Sequence, residues 1–540
     1  MFEKEIDSNN LEEPLTPGKI SCFRKHLITI LALFGIILVA IAIILIILTA
    51  IKKKDKNEND KILKILTYDK NFIKPDIKFN AEFQLVKIKN GMTGLLVHDP
   101  YSQIFQFLFQ VENGYLTDTV PGLAHFAEHM LFGGSEKYAN YSIEREIGGL
   151  KGYDRSAFTS TTYQLYYNII NSNFKYEKAI DILVDALRYP LYDKDVIKKE
   201  IQPVNSEFYF GINNGIGYEI LRQLSRKTSP FNGMGTGNND TLRPNESEIL
   251  SKKLKGYHMV VNRPEKIFFI LYSNETIQTL QKYAEKYLNY QMHKFSDDEI
   301  DIEDKKQLEK NQENLKKIEI FDENLYQHGF YYNSNLKMNS LDIFFYIGEI
   351  DFNDLGFDII DYYIYLFNSK SLFEILKAEN YISLNDKIYC YPLTYIKNNY
   401  VIDIHLILTE NGLKNIKDIL LIIYKYADII KKEGFKKEYF YNFIKFKNSN
   451  LINLFNKNIL FARKEIPKAF DLFILNYRIF GERHIFILGA PTEKNYNEEK
   501  IKKYLNEIKN GKSFFSVNTI SNPLEVETFL NSTKKETLKY

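Results

Sequence analysis

Leu27 to Ile51 (LITILALFGIILVAIAIILIILTAI) carries no charge and is longer than the ~20 residues a helix needs to cross a bilayer. A cleaved signal peptide has a shorter apolar core and a small-residue cleavage site. This run starts late and continues straight into Lys52, Lys53 and Lys54. The sequence therefore predicts an uncleaved, single-pass membrane anchor that meets lipid through residues 27–51. Residues 1–26 read as a polar tail and 52–80 as a charged tether. Lys19, Arg24 and Lys25 flank one end, and Lys52, Lys53, Lys54 and Lys56 the other. That count leans towards a cytoplasmic main domain, but long domains translocate largely regardless of flanking charge, so the side stays open.

The formal net charge of +2 gives no general attraction to nucleic acid, which excludes nucleic acid as an expected partner. The two cysteines, Cys22 and Cys390, lie far apart in the chain and supply no disulfide framework. The fold must rest on its hydrophobic core.

That core has a mixed grammar. LVKIKNGMTGLLVHD reads as two strands joined at Asn90-Gly91, a strong hairpin signal. Ile104 to Val111 and Tyr163 to Ile170 read as further strands. Pro121 to Phe132 reads as a helix that Asp118 or Thr119 can cap and Gly133-Gly134 can end. Tyr176 to Leu187 and Asp193 to Tyr209 follow as amphipathic helices. Residues 295–317 are densely charged and fit either a solvated linker or an exposed helix. Beyond them come strand-like runs at 342–350, 399–408 and 484–489, with helices near 371–380, 412–433 and 437–456. An α+β chain of two similar domains is implied, 81–294 and 318–540, with 295–317 between them.

The chemistry concentrates at His125-Phe126-Ala127-Glu128-His129. On a helix, positions four apart share a face, so both imidazoles can reach one ion. Zinc accepts such nitrogen donors and keeps an open position for water in catalytic sites. Glu128 projects towards the same face and can act as a base if it stays off the metal. The H-x-x-E-H pattern is the inverted form of the common zincin motif. A candidate third ligand lies downstream, where Glu200 and Glu207 are two helical turns apart and share a face. One of them completes a two-His, one-Glu site, and the other orients a ligand from behind. Pro203 between them is expected to kink that helix.

These residues resemble the inverzincin metallopeptidases, in particular the insulysin branch of the insulinase/pitrilysin group. GLAHFAEHMLFGGSEKY is similar to the first zinc motif of the family, and EIQPVNSE to the second. The resemblance assigns the third ligand to Glu207 and an accessory catalytic role to Glu200. Ser156, Ala157, Phe158 and Thr159 resemble the edge strand that pairs with a peptide substrate. Ser229-Pro-Phe followed by Gly235-Thr-Gly-Asn238 is similar to a loop of the insulysin branch, and Ser371 to Lys377 to a helix of the second domain. The resemblance implies two homologous α/β-sandwich domains, a Zn2+ cofactor, peptide substrates, and hydrolysis with Glu128 as base. The chain covers the first half of the family's architecture. A partner chain supplying the other half, or a homodimer, is therefore expected. Ser156 stands where the family commonly has Asn, and Tyr365 to Lys370 replaces its Gly-rich substrate anchor. Two other readings keep the same fold: a processing-peptidase-like subunit of a heterodimer, and a non-catalytic peptide-binding scaffold.

Overall fold

A computed structural model describes residues within 62–65, 82–139, 143–171, 176–214, 221–315, 319–347, 359–456 and 493–518, apart from short gaps inside these spans. The apolar run 27–51 and the strand expected at 484–489 lie outside the described residues. Among the described residues no helix is long and apolar enough to cross a membrane. The chain divides into two units, Met1–Lys64 and Ile65–Tyr540. A three-residue strand, Leu63–Ile65 (β1), falls within the span read as a tether.

From Glu82 onward the chain builds a mixed α/β unit with two sheets. Glu82–Ile88 (β2) and Thr93–His98 (β3) pair antiparallel across the Asn90-Gly91 turn, as expected. The turn is anchored because Asn90 Nδ2 donates to the carbonyls of Leu288 and Tyr290. The next strands are Ile104–Val111 (β4), Gly152–Thr159 (β5), Gln164–Asn171 (β6) and Ile267–Ser273 (β7). In the seven-stranded first sheet these six run β2-β3-β7-β4-β6-β5, so β5 ends the row. Every residue of β4 and β7 is buried, which explains their near-continuous apolar character.

The connecting helices are Leu123–Phe132 (α1), Tyr176–Arg188 (α2), Lys194–Asn214 (α3), Asn239–Leu242 (α4), Ser247–Val261 (α5), Ile277–Tyr283 (α6) and Ile302–Asn314 (α7). Pro203 lies inside α3 without ending it. The charged span 295–317 is thus largely a helix, and it is not fully solvated. Asp304 and Leu308, one turn apart, are buried where α7 packs on α5, and Lys253 of α5 pairs with Asp304.

The second sheet follows the order β10-β11-β9-β12-β8, with Gly329–Tyr332 (β8), Asn339–Ile347 (β9), Tyr389–Ile396 (β10), Asn399–Leu408 (β11) and Ser513–Asn518 (β12). Leu341, Ile343 and Phe345 alternate along β9, and Ile402, Ile404 and Leu406 along β11. These residues form one core with the stripe Ile416, Ile419, Ile423, Ala427 and Ile430 of a long helix, Ile416–Glu433. The spacing of that stripe is that of one helix face, which is why the segment reads as amphipathic. The aromatic pair Phe344 and Phe345 is fully buried and serves packing.

Candidate metal centre

The start of α1 is set by a backbone turn. Gly122 takes φ +90°, so the helix begins at Leu123, two residues later than the apolar pattern suggests. Asp118 accepts a hydrogen bond from the Ala124 amide at 3.0 Å and caps the helix from upstream. Leu123, Ala124, Phe126, Ala127, Met130 and Leu131 are buried. His125 and His129 are left half-buried on the remaining side, rings 4.7 Å apart at 76°.

Helix α3 brings the carboxylates. Asp193 accepts from the amides of Asp195 and Val196 and fixes its first turn. Val196, Ile197, Ile201 and Val204 are buried, which leaves the polar side of α3 facing the histidines. Glu207 Oε2 lies 3.4 Å from His125 Nε2 and 3.3 Å from His129 Nε2. The ligand atoms of His125, His129 and Glu207 all lie within 4.8 Å of one another. Glu200 Oε1 sits 3.0 Å from His129 Nδ1, and the Thr236 carbonyl 2.9 Å from His125 Nδ1. Each ring therefore has its Nδ1 engaged by a fixed acceptor. With Nδ1 so engaged, loss of the Nε2 proton would leave the Nε2 lone pair for an ion, the tautomer a metal ligand needs.

The charges around this cluster are strongly coupled. Hydrogen bonds from His125 and His129 hold the Glu207 carboxyl well below the usual carboxylate range. Burial works against a charged His129, but Glu200 and Glu207 outweigh it and raise the imidazole to about 10. Glu128 is only 6% exposed, and burial raises its carboxyl above the ordinary value. The nearby His125 and His129 and a hydrogen bond from Thr159 oppose that rise. Thr159 Oγ1 donates to Glu128 Oε2 at 2.5 Å.

Two supports were not legible in the local sequence. One is the Thr159 hydroxyl, which faces the carboxylate of Glu128. The other is the loop ahead of α4, which brings the Thr236 carbonyl to His125 and is tied to α3 where Asn205 accepts from the Asn239 amide. The loop reaches α1 because two glycines meet: a Cβ on Gly122 would lie 2.3 Å from the Gly237 Cα. Gly122→Ala adds that clash to a left-handed φ, a conformation that costs a non-glycine residue about 1–3 kcal/mol. The variant is expected to melt lower and to bind metal more weakly, because Thr236 precedes the displaced Gly237. A thermal melt and a metal titration check this, and a variant matching wild type in both would contradict the role given to the loop.

Residues 95–210 match the family described as Insulinase (Peptidase family M16), a span that includes His125, Glu128, His129, Glu200 and Glu207. Over that span the chain is similar to the insulinase-type M16 peptidases. It is similar to the A-factor-processing enzyme of Saccharomyces cerevisiae, 31% identical over 33% of this chain and 17% of that protein. It is also similar to the insulin-degrading enzyme of Drosophila melanogaster, 24% identical over 82% of this chain and 43% of that protein. The crystal structure of pitrilysin shares the fold with a TM-score of 0.69 at 20% identity, covering 86% of this chain and 47% of that one. The chain spans less than half the length of the curated relatives it matches. β5 lies at the end of the sheet beside α1, and it carries Ser156, Ala157, Phe158 and Thr159. Ser156 pairs with Tyr167 of β6, and Phe158 is 52% exposed.

Proposed function

We propose that this chain is a membrane-anchored zinc metallo-endopeptidase acting on peptides or small unfolded polypeptides. The observation that carries the reading is the convergence of two imidazole nitrogens on one oxygen of Glu207, with Glu128 buried alongside. A tetrahedral zinc with bonds of about 2.0–2.1 Å separates its ligands by roughly 3.3 Å. The 3.4 and 3.3 Å separations fit that donor set. His125, His129 and Glu207 would hold the ion, with Glu200 steadying His129. When bound, zinc supplies positive charge that acidifies water and polarises a carbonyl.

The chain's own groups do the rest. The outer edge of β5 offers backbone donors and acceptors to an extended peptide, which would add as a strand along Ser156 to Thr159. Glu128 takes a proton from the attacking water and passes it to the leaving amine nitrogen. Its burial keeps the carboxylate poorly solvated and therefore more basic, as that role requires. Residues 27–51 would tether the enzyme to lipid. A partner chain, or a second copy, would close the site over the peptide. Size analysis in detergent tests that last point, and an active monomer would exclude it.

Zinc content, together with cleavage of a quenched fluorogenic peptide with and without chelator, tests the activity. The electrostatics add a pH signature. In the metal-free protein Glu200 and Glu207 raise the His129 imidazole to about 10, so it is expected to carry a proton at neutral pH. Binding must expel that proton, so zinc uptake at pH 7 is expected to release it, and affinity to fall about tenfold per unit of acidification. Calorimetry in two buffers of different ionisation enthalpy measures the release. Uptake without proton release would contradict the charge state assigned to His129.

A further inference from the structure

Six hydrogen bonds run head to tail from a lysine to Glu128. Lys266 Nζ donates to Gln312 Oε1 at 2.6 Å, and Gln312 Nε2 donates to Asn113 Oδ1 at 2.8 Å. Asn113 Nδ2 donates to Tyr257 Oη, and Tyr257 Oη to Gln164 Oε1, each at 3.1 Å. Gln164 Nε2 donates to Thr159 Oγ1 at 3.3 Å, and Thr159 Oγ1 to Glu128 Oε2 at 2.5 Å.

The direction of this chain is forced. An ionised carboxylate only accepts and an ammonium only donates, so both ends impose the same sense. Thr159 has one hydrogen, which goes to Glu128, so Gln164 must donate to it. Gln164 spends its other amide hydrogen on the Ala124 carbonyl at 2.6 Å, which turns its oxygen towards Tyr257. Tyr257 must then donate its only hydrogen to Gln164 and accept from Asn113. That leaves Asn113 Oδ1 for Gln312. Gln164, Tyr257 and Asn113 are at most 2% exposed. A buried network with every member satisfied is rigid, and its aligned dipoles reinforce one another.

We propose that Thr159 is a positioning residue that pins one oxygen of Glu128, and that α7 steadies this arrangement through Gln312 at the far end of the chain. The inference rests on Glu128 being the base of the peptidase reading. Oε2 is held by the hydroxyl, which leaves Oε1 to take the proton from water. The charged helix between the two sheets is then part of the catalytic support and not a passive linker.

Thr159→Val keeps the side-chain shape and removes the donor. The expected result is a kcat lower by about 10- to 100-fold, the range for outer partners of a site, with KM and zinc content close to wild type. Thr159→Ser restores the hydroxyl and should recover most of the rate. Tyr257→Phe, which removes the hydrogen that orders Gln164, should also lower kcat and leave KM alone. Gln312→Leu should do the same to a smaller degree. A Thr159→Val enzyme with wild-type kcat overturns the proposal, as does a Thr159→Ser enzyme as slow as the valine variant. If Thr159→Val does not fold, Tyr257→Phe decides: wild-type kcat overturns the proposal. Glu128→Gln run in parallel separates the two levels. If it is inactive while Thr159→Val is unimpaired, only the positioning role fails. A wild-type chain without turnover overturns both.

Discussion

Glu128→Gln is expected to lower kcat for peptide hydrolysis by about 10²- to 10⁴-fold, the span usually contributed by a general base. Zinc content should not change. The amide keeps the size of the side chain and can still accept from Thr159, so the 2.5 Å contact has a neutral substitute. The amide cannot take a proton from water. Glu128 is also not one of the three residues whose ligand atoms cluster, so its loss leaves the donor set intact. Parallel elemental analysis and initial rates check the prediction. A variant that still cleaves at the wild-type rate would show that the base lies elsewhere.

Glu207→Ala has the opposite profile. Its carboxylate is the oxygen on which both Nε2 atoms converge, so its loss leaves two nitrogens and no third ligand. Zinc should be lost on dialysis, and activity should fall to that of chelated wild type. Folding should survive, because the side chain is 52% exposed and lies on the polar side of α3. Glu200→Ala separates ligand from support. It removes the acceptor at His129 Nδ1 but no atom of the donor set, so turnover should fall more than zinc content. Zinc lost from Glu200→Ala but kept by Glu207→Ala would mean that the two glutamates had been assigned the wrong way round.

The contrast between them explains what the sequence can disclose. The two histidines and the two glutamates each sit at helical spacing, so period alone puts each pair on one face. That these faces meet follows from α1 and α3 packing together, which the motif resemblance supplied and local pattern did not. Strands such as Asn399–Leu408 and helices such as Lys437–Asn456 were legible to the residue because their apolar period is unbroken. The start of α1 was not, since Gly122 turns left-handed inside an otherwise helical pattern. Residues 302–314 look solvated because Leu308 is their main apolar anchor, while Asp304 is buried through an ion pair. The chain from Lys266 to Glu128 joins residues 5 to 199 positions apart, and such pairings leave no periodic trace.

In the proposed site one zinc ion is shared by residues from two helices. X-ray absorption at the zinc edge, on the full chain in detergent, tests it most directly. The expected result is about one zinc per chain, with two imidazole nitrogens at roughly 2.0–2.1 Å and oxygen in the remaining positions. A shell without imidazole, or one containing sulfur, would contradict it.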